Sequence, residues 1–203
     1  MTKDVSVSCT CGKVKGVIHG LSAASSNHVQ CPCKGCQSYA HYLGRAADML
    51  DEAGYSNIFQ IDPVTFEIKE GLEHLACVRM TPKGPLRWYT DCCKTPLGNT
   101  LPKGGVPFLG VLPICTGYKG TDQAVVEMVG PVRAVANEKR PQTLAEKLKV
   151  WGMLAHLMRL LLWWRIRGGK SWKPFFDKDT LRPIRKPITI SKAESKALAE
   201  KVV

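Results

Sequence analysis

Nine cysteines stand in this chain of 203 residues, and seven of them fall in three tight groups. Cys9-Thr10-Cys11-Gly12 offers two thiols, Cys31-Pro32-Cys33-Lys34-Gly35-Cys36 offers three, and Tyr89-Thr90-Asp91-Cys92-Cys93 offers two more. A tight turn can aim neighbouring thiols at one point, and zinc takes thiolates at about 2.3 Å in a tetrahedral array. Gly12 is free to adopt the backbone angles of such a turn, Pro32 stiffens its loop and Gly35 permits a bend. Structural zinc sites are closed by four protein ligands, whereas catalytic sites keep a position open. Three local thiols at Cys31, Cys33 and Cys36, with no adjoining fourth, point to an open position. The competing reading closes a structural site with a distant residue, His41 being the nearest candidate.

The other chemistry in the chain is sparse. Cys77 and Cys115 sit alone in apolar surroundings and read as small buried hydrophobes. Gly169-Lys170-Ser171 ends like a phosphate-binding loop, but that loop needs glycine where Trp164 stands. The five histidines are scattered, and no Ser-His-Asp or Cys-His arrangement emerges. An odd number of cysteines excludes complete disulfide pairing. The polar start, Met1-Thr2-Lys3-Asp4-Val5, lacks the apolar core of an export signal. A reducing, cytoplasmic setting is therefore expected, where clustered cysteines hold metal more often than disulfides.

The elements that must position these groups are read from periodicity. A hydrophobic content of 44% supports a folded core. Period-two alternation predicts strands at Val5–Ser8, Val14–Ile18, Ile58–Ile61, Thr65–Ile68, Leu75–Met80 and Leu86–Tyr89, with a late strand at Val125–Val129. Residues 37–53 carry helix formers and predict one short helix. The fold class expected is mainly β (α+β). Thr143-Leu144-Ala145-Glu146 is a capping box that opens a helix. Leu144, Leu148, Trp151, Ala155, Met158 and Leu162 follow at three- and four-residue steps, and Gly168-Gly169 is expected to stop it. Ser191–Glu194 predicts a second cap and a short terminal helix.

Charge divides the chain. Residues 1–132 carry 12 Lys/Arg and 11 Asp/Glu, a balance of +1, whereas residues 133–203 carry 17 and 6, a balance of +11. This suggests a metal-bound body over 1–132 and a basic helical extension over 133–203. Val150–Trp164 is the longest nearly apolar stretch, but His156 and Arg159 interrupt it and it is too short to span a bilayer. Its expected role is to pack on the body or on a second copy, as a homo-oligomer contact. An anionic membrane surface or nucleic acid would also suit its mixture of aromatic and basic residues.

The CxCG motif at Cys9–Gly12, the CxCxxC motif at Cys31–Cys36 and a late cysteine before Thr95-Pro96-Leu97 together resemble the glutathione-dependent formaldehyde-activating enzyme family, which includes centromere protein V. The resemblance covers about residues 5–130. It implies a zinc-stabilised Mss4-like β-sandwich or β-tent with two zinc sites. Cys9, Cys11 and Cys93 carry over to a structural zinc, and Cys31, Cys33 and Cys36 to an active-site zinc where a thiol substrate binds. The late motif departs from the family pattern. Thr90 stands where the first cysteine of a CxxC pair belongs, and Lys94 where glycine is usual. Cys92 is the candidate substitute ligand, although adjacent residues on a strand face opposite sides.

The resemblance implies a carbon–sulfur lyase acting on glutathione, or another thiol, and formaldehyde-type adducts. The three cysteines are ligands in this reading, not nucleophiles. Lys34 and Arg45 are candidates to attract a glutathione carboxylate. Three thiolates and Zn²⁺ sum to −1, so nearby positive charge is required, and the sequence does not place it. The alternative is a non-catalytic zinc-stabilised binding protein whose basic helix contacts a partner.

Overall fold

The structure is a computed structural model that describes residues 2–119, 123–138, 142–167 and 173–202. Each predicted early strand forms. Strands β1 (Lys3–Ser8) and β2 (Lys15–Leu21) make a hairpin. After β3 (Asn27–Cys31) come helices α1 (Lys34–Tyr42) and α2 (Ala46–Met49). Next are β4 (Ser56–Ile61), β5 (Phe66–Glu70), β6 (Leu75–Arg79), β7 (Leu86–Thr90), β8 (Pro96–Thr100) and β9 (Leu109–Val111). The chain closes with α3 (Gln123–Val129), β10 (Ala134–Val135), α4 (Leu144–Ile166), β11 (Ile188–Thr189) and α5 (Lys192–Ala199).

Strands dominate this mixed α+β protein. They form a three-stranded sheet, β1-β2-β5, and an eight-stranded sheet, β10-β3-β4-β9-β8-β7-β6-β11. Side chains alternate along each strand, so the larger sheet has two distinct faces. One face carries Phe59, Ile61, Leu86, Trp88, Leu97 and Leu109 against Val7, Ile18 and Phe66 of the smaller sheet. The other carries Cys31, Ile58, Val78 and Tyr89 against Tyr39 and Ala40 of α1 and Leu198 of α5. The order of layers is therefore small sheet, large sheet, helices. Residues 133–203 are woven into both. They supply β10 at one edge and β11 at the other, and Phe175 lies 4.9 Å from Trp88, ring centre to ring centre.

Two expectations are corrected. Val125–Val129 folds within helix α3, not as a strand. Val125 and Val129 are one helical turn apart and both enter the core, so tertiary packing overrides β-branched propensity in a short apolar run. Residues 37–53 form two helices, because the chain turns at Leu43-Gly44-Arg45. Strands β8 and β9 carry no period-two signal, and β3 shows only the short alternation His28-Val29-Gln30-Cys31. They lie inside the large sheet with both faces covered, and their residues are almost all buried.

The capping box at Thr143 and Glu146 opens α4, and Ser191 Oγ accepts the Glu194 N–H at the start of α5. The expected stop at Gly168-Gly169 and the rejected phosphate motif at Gly169-Lys170-Ser171 lie outside the described residues. Helix α4 packs on the body through Met153, Leu160 and Trp164. The stripe from Leu144 to Leu162 instead faces outward, contrary to the expectation that it would be the packed face.

His156 pins α4 to the body by donating from Nε2 to the Ser26 carbonyl at 3.0 Å, and Arg159 donates to its Nδ1 at 3.1 Å. Burial pushes this imidazole below its ordinary 6.5, and Arg133 and Arg159 add to the effect against the pull of the Ser26 carbonyl. A depressed folded value means that the unfolded chain binds the proton more readily. The contribution is fully present above 6.5 and is lost as pH falls below it towards the folded value. Thermal melts from about pH 7.5 to about pH 5 are expected to show a loss that His156→Gln reduces, worth less than about 1 kcal/mol after solvent screening.

Candidate metal centres

The first centre joins the two sheets at one end. Cys9 and Cys11 lie in the β1–β2 turn, where Gly12 takes φ +77° and its N–H reaches the Cys9 carbonyl at 2.9 Å. Cys92 and Cys93 lie in the β7–β8 turn. That turn is closed by the Lys94 N–H on the Thr90 carbonyl at 2.8 Å, with Lys94 itself at φ +58°. The concern that adjacent cysteines face opposite ways applies to a strand, and Cys92 and Cys93 are not on one. The left-handed angle at Lys94 is what brings the chain round without glycine. Sulfur–sulfur distances are 3.5 Å for Cys9–Cys11, 3.4 Å for Cys11–Cys92, 3.9 Å for Cys9–Cys92 and 3.8 Å for Cys92–Cys93. Four thiolates at about 2.3 Å from one zinc are separated by about 3.8 Å, so this quartet could hold a metal ion.

Thr90, three residues before Cys93, has a structural task. Its buried hydroxyl accepts from the Thr95 N–H at 3.2 Å and contacts Cys93 Sγ at 3.4 Å. Burial opposes ionisation of Cys93, yet the hydroxyls of Thr10, Thr90 and Thr95 hold its thiol down at about 4. Arg45 reaches Thr10 Oγ1 at 2.7 Å and Asp48 at 3.1 Å, so its guanidinium braces this centre. His74 and Asp91, paired at 3.0 Å, adjoin Cys92 and share its sulfur as a further potential ligand group.

The second centre lies under the helical layer. Cys31 ends β3, Cys33 caps α1 and Cys36 sits in its first turn. Their three sulfurs lie within 4.8 Å of one another and could hold a metal ion. Cys31 and Cys36 are buried, while Cys33 is half-buried, so approach is from the Cys33 side. His41 lies at the far end of α1 and joins none of the ligand groups among the described residues. Lys34 is exposed.

Two N–H donors that the sequence did not reveal meet these sulfurs. Asn137 Nδ2 lies 3.5 Å from Cys31 Sγ, and both terminal nitrogens of Arg87 lie 3.8 Å from Cys36 Sγ. Arg87 is 4% exposed. It donates to Asn99 Oδ1 at 3.2 Å and lies 5.0 Å above the Tyr39 ring. Among the described residues, no carboxylate pairs with it. Gly35 leaves room for the approach, since a Cβ there would crowd Arg87 Nη2 at 3.2 Å. Hydrogen bonds from Cys31 and Cys33, then the Arg87 charge, drive the Cys36 thiol well below its ordinary value, while Cys31 is pushed up by sharing with Cys33 and Cys36. A charged residue inside the apolar run Leu86-Arg87-Trp88-Tyr89 was the available signal. None of the nine cysteines is in a disulfide.

Over residues 1–148 the sequence matches a family of unknown function, DUF6151. The chain belongs to that family. The matched part of this DUF6151 protein contains all seven clustered cysteines, Arg87 and Asn137, and it ends inside α4. No curated protein matches the chain. A Rhodobacter sphaeroides protein, solved as a Northeast Structural Genomics target, is similar in structure, with a TM-score of 0.40 and 15% identity. The similarity covers 63% of this chain and 96% of that one.

Proposed function

We propose that this DUF6151 chain is a divergent relative of the glutathione-dependent formaldehyde-activating enzymes, with an Mss4-like pair of sheets and two zinc ions. Cys9, Cys11, Cys92 and Cys93 hold the structural ion, and Cys31, Cys33 and Cys36 hold the other with one position open. The observation that carries this reading is Arg87, a buried cation whose terminal nitrogens both lie 3.8 Å from Cys36 Sγ of the three-cysteine cluster. Buried charges are retained when paired, and three thiolates with one zinc leave the −1 that a guanidinium balances. Bound zinc lowers the pKa of a thiol at the open position, making thiolate available near neutral pH.

The chain's own residues set the rest. Arg87 and Asn137 stabilise the ligand sulfurs, so that Cys31 and Cys36 serve as ligands and not as nucleophiles. The half-buried edge at Cys33 admits a small thiol such as glutathione. The substrate sulfur adds to the carbonyl carbon of formaldehyde, the carbonyl oxygen takes up a proton, and an S-hydroxymethyl thiol results. The reverse reaction breaks the carbon–sulfur bond, which defines a carbon–sulfur lyase. A cytoplasmic setting would keep the cysteines reduced.

A second reading is a non-catalytic binding protein in which both metals are structural. The outward apolar stripe of α4 favours it, because that surface suits a partner. The test is elemental analysis of the purified chain followed by glutathione–formaldehyde turnover, with Cys33→Ala alongside. Two zinc ions per chain and turnover lost in the variant support the lyase. Zinc present with wild type, variant and buffer at equal rates leaves the binding protein, and zinc absent removes both.

A further inference from the structure

Helix α4 is apolar on both sides. Met153, Leu160 and Trp164 are buried against the body. On the opposite side Leu144, Leu148, Trp151, Met158 and Leu162 are each at least 63% exposed. With exposed Ala155 between Trp151 and Met158 they recur at steps of three and four and so form one continuous ridge. One apolar face is covered by the body, and an exposed contiguous patch such as the other marks an interaction surface.

Charge and side-chain type select what covers it. At 100° per residue, exposed Lys147 and Arg165 border the ridge on one side and exposed Arg159 on the other. Arg159 holds the His156 ring and Arg165 the Gly105 carbonyl, so neither charge is neutralised by those contacts. Glu146 is the helix's one carboxylate, and it is held by the Thr143 cap. Residues 133–203 carry 17 Lys/Arg against 6 Asp/Glu, so a second copy would bring like charge against like. Anionic lipid headgroups bring the opposite charge. Trp151 lies on the ridge and Trp163, 43% exposed, lies beside it. Tryptophan favours the boundary between headgroups and acyl chains. Among the described residues, no helix is long and apolar enough to cross a membrane.

We propose that α4 is a membrane-docking element that lies flat in an anionic phospholipid surface. The ridge enters the acyl boundary while Lys147, Arg159 and Arg165 meet headgroup phosphates. This rests on the outward face of α4 and is independent of the metal chemistry.

Vesicle sedimentation of the full chain tests it. The vesicles are phosphatidylcholine alone, or phosphatidylcholine with about one-third phosphatidylserine. Wild-type protein is expected to pellet with the anionic vesicles and to bind neutral ones on the order of a hundred-fold more weakly. The double variant Leu148→Ser, Trp151→Ser alters two exposed positions and is expected to melt as wild type does. Its anionic-vesicle binding should fall by about a hundred-fold. Wild type remaining in the supernatant would overturn the proposal, as would undiminished binding by the folded variant. Sedimentation equilibrium distinguishes the other occupant. A wild-type dimer that the variant dissolves, without vesicle binding, would assign the ridge to a second copy.

Discussion

Zinc in purified Arg87→Met protein is expected to fall from about two ions per chain to about one, with a stability loss of about 3–5 kcal/mol. Methionine fills much of the same space without the charge. The guanidinium, 4% exposed and 3.8 Å from Cys36 Sγ, has no carboxylate partner among the described residues. Its removal leaves a net negative cluster buried and uncompensated. Metal binding also requires the thiols to lose protons, and losing a nearby positive charge raises their pKa values. Acidification should therefore release whatever zinc the variant keeps at its three-cysteine centre at a higher pH than in wild type, by about 1–2 units. Arg87→Lys keeps the charge but not the forked reach, and should restore part of the zinc content. Elemental analysis across a pH series reads all three. Two ions retained by Arg87→Met, released at the wild-type pH, would remove the electrostatic role assigned to Arg87.

Cys11→Ser should cost at least about 3 kcal/mol, far outside the ±0.5 kcal/mol or so usual for a surface substitution. Cys11 is exposed, so its burial predicts almost no effect. Its sulfur nevertheless lies 3.5 Å from that of Cys9 and 3.4 Å from that of Cys92, 81 residues away in sequence. A metal there would tie the β1–β2 turn of the small sheet to the β7–β8 turn of the large one. Free energy of metal binding becomes folding free energy when the ligands are organised only in the folded chain. Denaturant unfolding of wild type and variant measures the difference, and a chelator should lower wild type at least as far. A neutral substitution, with wild type insensitive to chelator, would mean that these four thiols hold no structural ion.

The Cys11 result would also test the adjacent Cys92 and Cys93 as ligands. In sequence, two adjacent cysteines look like a poor substitute for a spaced pair. In the fold, Lys94 turns the chain with a left-handed backbone and the Thr90 hydroxyl braces the turn. Local pattern reading had no means of weighing an unfavourable angle at lysine against the hydrogen bonds that stabilise it.

Local chemistry was legible in the sequence. Cysteine spacing marked the turns at Cys9–Gly12 and Cys31–Cys36, alternation marked β1, β2 and β4 to β7, and the Thr143 cap marked the start of α4. These signals are legible because each depends on neighbours within one turn or one strand. Strands β8 and β9 left no alternation, since the interior of a large sheet buries both faces. The tertiary structure alone decided two further things. It turned Arg87 towards Cys36 because alternation along β7 sends Trp88 to the opposite face. It also chose which apolar side of α4 meets the body. Each joins groups tens of residues apart, and that proximity depends on sheet order and layer packing, which no local pattern encodes.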